Sequence, residues 1–166
     1  MKNLTKSIKR RYFIFMFTIG IIIISVLLII DHSIRTQNTT INNVNISGKQ
    51  IYLMERIEKQ VYDLANNKEA LSDINELNKL KELSNQFEGS HDYLYSKNKK
   101  EGNNIVLDSL FEDVNYHYDR VFNSINNVLN NSNKNTGAID KSLQTIWESE
   151  MLFCDTMNLI VNNYQE

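Results

Sequence analysis

Two sets of residues in this chain have the types and spacing to do chemistry. The first lies in INNVNISGKQIYLMERIEKQV, residues 41–61, where Lys49 and Arg56 put two cations on one helix just after Gly48, beside Ile51. Cations held on a rigid helix can bind anionic groups through charge-assisted hydrogen bonds. The second set is Glu150, His117 and Arg56, which antiparallel helices bring to similar heights, with Arg120 and Trp147 close by, so that His117, Arg120 and Glu150 are candidates for one polar layer. Glu150 falls where an apolar residue is expected, and Glu55 does so near a break in the pattern. A buried carboxylate has to meet a cation, shift its pKa or face water. The polar layer therefore reads either as an ion pair that fixes helix register or as part of a ligand site.

Catalysis has no comparable support. The chain shows no Ser, His and Asp arrangement, no paired-carboxylate cleft and no glycine-rich phosphate loop, so no enzyme activity and no cofactor are expected. One cysteine, Cys154, and three scattered histidines do not make a metal site. Cys154 reads as a small apolar core residue, and His91 as a hydrogen-bonded one. A net charge of -2 provides no basic field for nucleic acid.

The elements that must position these residues are helices. There are no prolines and only five glycines in 166 residues, which favours long uninterrupted helices over a sheet with many tight turns. Residues 12–30, YFIFMFTIGIIIISVLLII, carry no charge and span about 28 Å as a helix, close to the hydrocarbon thickness of a bilayer. A transmembrane helix is expected there. Residues 1–11, with Lys2, Lys6, Lys9, Arg10 and Arg11, form a basic tail that should stay in the cytoplasm, so residues 31–166 are extracytoplasmic. The apolar run is long for a cleaved signal peptide, and Asp31, His32 and Ser33 follow it in place of a small-residue cleavage site.

Beyond the anchor, four amphipathic helices are expected at about 31–66, 70–96, 104–130 and 138–164, joined by the polar runs 97–103 and 131–137. The seam of the first is read through Ile34, Ile41, Val44, Gly48, Ile51, Met54, Ile57, Val61 and Leu64. It slips once, because the step of three from Ile51 to Met54 repeats the one before it. The fourth reads cleanly through Ile139, Leu143, Ile146, Glu150, Phe153, Met157, Ile160 and Tyr164. Helices of this kind joined by short loops call for an all-α fold, a transmembrane helix followed by an antiparallel up-down four-helix bundle. Gly48 inside a helix costs about 1 kcal/mol relative to Ala, which close approach of a neighbouring helix would offset.

The run Asn45, Ser47, Gly48, Lys49, Gln50, Met54, Arg56 and Ile57 resembles the NarX/PilJ-type sensor domain of nitrate sensor kinases and type IV pilus chemotaxis transducers. The likeness continues through Phe87, Gly89, Ser90, His91 and Leu94 and through MLFCDTMNLIVNNYQE, residues 151–166. It implies a sensory module that dimerises through its first helix and binds a small extracytoplasmic ligand. In the nitrate sensors an arginine three residues after the glycine binds the anion. Ile51 holds that position here and cannot donate a hydrogen bond, so the resemblance implies the dimer and not nitrate.

The expectation is thus a membrane-anchored, homodimeric sensory module of a bacterial receptor, of chemoreceptor or sensor-kinase type, with its effector part outside this chain. The competing expectation is a single-pass helical scaffold of the cell envelope that senses nothing.

Overall fold

The computed structural model describes residues 2–67, 69–101, 104–131 and 136–165, and within these the side chains except those of 2–8, 101 and 136. All of the long elements are α-helices: α1 Lys2–Asn66, α2 Ile74–Glu101, α3 Ile105–Asn131 and α4 Thr136–Gln165, with a 3-10 turn at Ala70–Ser72. No strand occurs among the described residues. The chain divides into two units, one ending at Ile41 and one beginning at Asn42.

The first unit is helical throughout its described residues and holds the apolar run. An 18-residue window of mean hydropathy 3.1, none of it buried, makes the helix near the N-terminus long and apolar enough to cross a membrane. Two of its hydroxyls bond back to carbonyls of the preceding turn. Thr18 Oγ1 donates to the Ile14 carbonyl and Ser25 Oγ to that of Ile21, each at 2.9 Å.

In the second unit the remainder of α1 shares one apolar core with α2, α3 and α4, centred on Met54, Ile57, Phe87, Val114, Val121, Phe153 and Met157. The closest backbone packing is between α3 and α4. Hydrogen bonds tie each helix to its neighbour in the chain at several levels. Gln60 reaches Glu76 and Asn42 reaches Tyr93; Asn98 reaches Asp108 and His91 reaches Asn115; Asn127 reaches Ser142 and Thr156 reaches Asp113.

Short polar side chains set the helix starts by accepting from orphan backbone N–H groups. Asp73 accepts from Asn75 at 2.8 Å before α2, and Asn104 accepts from Val106 and Leu107 at 3.0 and 3.1 Å before α3. The bounds differ from expectation at several points. The second helix starts at Ile74, after the 3-10 turn. It continues through Lys97–Lys100, expected as loop, because Lys99 and Lys100 sit in its last turn where cations favour the helix end. Residues 102–103 and 132–135 of the expected loops lie outside the described residues, while Asn131, Thr136 and Gly137 are helical.

The main correction concerns α1. Its buried seam runs Asn43, Ser47, Gln50, Met54, Ile57, Val61 and Leu64, with steps of four and three that never slip. Val44 and Ile51 are only half-buried, and Ile41 and Gly48 are exposed. Following apolar residues alone led one position away from the seam, onto a neighbouring stripe. No neighbour comes within 4 Å of a Cβ placed on Gly48, so close helix approach within the chain does not explain that glycine. On α4, fully buried Ser149 takes the place expected for Glu150, which is half-exposed.

Candidate functional site

The residues expected to form one polar layer each find a different partner. Arg120 pairs with Glu148 across α3 and α4 at 2.9 Å and lies over the Tyr116 ring. His117 is buried with its ring edge-on to Tyr116, and its Nδ1 has no hydrogen-bond partner. Glu150 faces carboxylates rather than a cation. Burial first, then the charge and hydrogen bond of Glu58 and the charge of Glu55, push its pKa up to about 7. Cys154, expected in the core, is half-buried beside these acids; desolvation, then Glu150 and Glu55, push its thiol up to about 12.

Arg56 lies instead over the groove between α1 and α2. It donates from Nη1 to the Tyr52 hydroxyl at 2.8 Å and stacks on that ring, 5.7 Å from its centroid. The groove encloses about 280 Å³ and is lined by Tyr52, Leu53, Arg56 and Gln60 of α1 and by Lys79, Glu82, Leu83 and Gln86 of α2. Helical spacing explains this lining, since 52, 56 and 60 share one side of α1 and 79, 82, 83 and 86 one side of α2. Lys79 is held by Glu76, which also accepts from Gln60 at 3.0 Å. Those two hydrogen bonds keep the Glu76 carboxyl below its ordinary pKa. The groove thus presents two cations, carboxamides and an acid on a partly apolar floor, a donor-rich setting for a small polar molecule with an anionic group.

Next along α1 lies the polar part of its seam. Asn43, Ser47 and Gln50 are 1%, 0% and 0% exposed. Gln50 Nε2 donates to the Phe87 carbonyl at 2.7 Å, which leaves its Oε1 without a partner; Asn43 Oδ1 and Ser47 Oγ have none either. Each buried orphan of this kind costs about 1–3 kcal/mol. On α2, His91 Nε2 lies 3.0 Å from Asn115 Oδ1, and the Asn115 amide points toward Asp119. The proton therefore sits on Nε2, and Nδ1 is a buried acceptor with no partner. The imidazole stacks on Tyr118, centroids 3.7 Å apart, and desolvation lowers its pKa. Among the described residues no cluster of His, Cys, Asp and Glu could hold a metal.

Of the residues marked in the sequence, the structure brings Arg56 to the groove, leaves Gly48 and Lys49 exposed, and packs Ile51 against the edge of the core. It adds Asn43 and Glu58, which sequence reading missed, and turns Ser47 and Gln50, marked only for the family resemblance, into buried core positions. Counting back from Leu64 and Val61 in steps of three and four would have found Asn43, Ser47 and Gln50. No protein-family model, curated protein or solved structure matches the chain.

Proposed function

We propose that this protein is the membrane-anchored sensory module of a bacterial signal-transduction receptor. In this reading residues 1–11 are cytoplasmic, 12–30 cross the membrane, and 31–166 form an extracytoplasmic up-down four-helix bundle. The basic residues before the apolar run support that orientation, and the hydrogen bonds between successive helices at several levels support the up-down arrangement. The observation that carries the sensory reading is the groove. Three of its polar groups, Tyr52, Arg56 and Gln60, belong to the helix that also contains the apolar run, so a ligand there acts directly on α1. The occupant is a small anionic or zwitterionic molecule that meets Arg56 and Lys79, and binding displaces α1. A second copy packs on the exposed side of α1 around Gly48, Lys49 and Tyr52, and the effector belongs to another part of the receptor.

A thermal-shift screen of the detergent-solubilised chain against small anions and amino acids tests this. At 100 times its Kd a ligand should stabilise by about 2.7 kcal/mol. Loss of that shift in Arg56→Ala supports the groove, and a screen without any shift removes the ligand reading.

A second reading, a non-sensory envelope scaffold, is favoured by the outward face of α4. Trp147, Met151, Leu152 and Leu159 there are 46%, 67%, 45% and 51% exposed, the kind of surface that other proteins cover. Retention of an envelope protein by the wild-type chain but not by Trp147→Ser/Met151→Ser, with no ligand shift, would favour it.

A further inference from the structure

We infer that α1 has two packing registers and that the one described here is the strained member of the pair. Residues 43, 47 and 50 face the core with three unpartnered polar atoms. One position further along, residues 44, 48 and 51 form a second stripe with the same spacing, made of Val, Gly and Ile, facing away from the core or along its edge. One residue corresponds to about 100° of rotation in an α-helix. A rotation of that size in residues 42–51 puts the second stripe where the first now lies. It carries Asn43 and Gln50 to the exposed places now held by Asn42 and Lys49, Ser47 to the half-buried place of Ile46, and Val44, Gly48 and Ile51 inward.

The rotation cannot extend past Met54, because the same step would bury Glu55 and Glu58 in place of Met54 and Ile57. The two registers therefore meet between Ile51 and Met54, where three consecutive steps of three, from Gly48 to Ile57, overwind the helix locally. Gly48 suits both states. It takes no contact in the present one, and in the other it fills the place of a serine. The hydrogen bond from Gln50 to the Phe87 carbonyl is the latch of the present register, and Tyr52 and Arg56 of the groove flank the junction. This register change deepens the sensory reading by naming the motion of α1, and it rests on that reading only for its trigger.

Thiol labelling of the full chain tests it, with Ser47→Cys, Val44→Cys and Ile57→Cys made singly and each rate read against the unsubstituted protein. The Ser47→Cys thiol should label on the order of tenfold faster than that of Ile57→Cys, because local opening at residue 47 is cheaper than opening of the core. Adding Gly48→Ala should speed labelling at 47 and slow it at 44. Adding Gln50→Leu should slow labelling at 47. Fraying of the helix would respond otherwise, since Gly48→Ala strengthens the helix and would slow both positions. Equal rates at 47 and 57 overturn the inference, as does a Gly48→Ala variant that moves 47 and 44 in the same direction or moves neither. A ligand screen without shifts would remove the sensory reading and leave these rates unchanged.

Discussion

The Glu150 carboxyl of α4 faces the Glu58 carboxyl of α1, with the charge of Glu55 close enough to be felt, and burial and these acids raise its pKa. Two carboxylates can share a hydrogen bond only if one keeps its proton. Burial first, then the charge and hydrogen bond of Glu58, raise Glu150 to about 7.

The sign of the resulting pH dependence follows from linkage. In the unfolded chain Glu150 loses its proton near the ordinary carboxylate value of 4.5, and in the folded chain near 7. Between these values the folded state binds more protons, so this pair loses stability as pH rises through the window. Glu150→Gln should therefore raise the melting temperature at pH 8 by about 4 °C, on the order of 1 kcal/mol after discounting for solvent screening. At pH 4.5 it should change little. A loss of stability at pH 8 would mean that the carboxylate meets a cation. His91 works in the opposite sense. Its folded pKa is lowered, so its contribution is lost as pH falls below the ordinary histidine range, and a His91→Phe background separates the two effects.

Phe87 is fully buried in the core. Its ring lies 5.2 Å from Tyr118 and 5.3 Å from Phe153, and its carbonyl receives the Gln50 amide. Phe87→Ala should cost about 3–5 kcal/mol, enough to unfold much of the population by circular dichroism at 37 °C.

Arg120 gives a contrasting case. Its bond to Glu148 joins two partly exposed side chains, and pairs of that kind contribute about 0–1 kcal/mol. Arg120→Ala should therefore shift urea midpoints only slightly, and 1 M salt should erase most of the difference. A loss above 2 kcal/mol would restore Arg120 to a buried charge network.

Capping makes a local prediction. Asn104 receives two backbone N–H groups at the start of α3, and Asn104→Ala should cost about 1 kcal/mol, with Asn104→Asp recovering most of it. Melting of the three proteins under one condition decides the matter.

These relationships show which parts of the fold were legible in the sequence. The composition announced helices, and in α3 and α4 the apolar spacing led close to the true core, because Val114, Val121, Phe153 and Met157 are both apolar and buried. In α1 the same method failed from Ile51 backwards. There the buried positions are Asn43, Ser47 and Gln50, and the apolar ones look outward, so a count of apolar residues traces the wrong face. Glu150 was visible as an anomaly of the pattern, but its partner was not. Which of several charges at similar height reaches it depends on helix rotation, and sequence spacing does not fix that. Arg56 was singled out as a cation on α1, while the groove beneath it needed the position of α2.

Burial, and after it the acids around Glu150, also determine what the chain's one thiol can do. Thiolates, not thiols, attack disulfides and react with peroxide. Because Cys154 gives up its proton only at about 12, it is almost entirely unreactive near neutral pH. Wild-type protein purified in air should remain fully reduced, with no intermolecular cross-link through this sulfur.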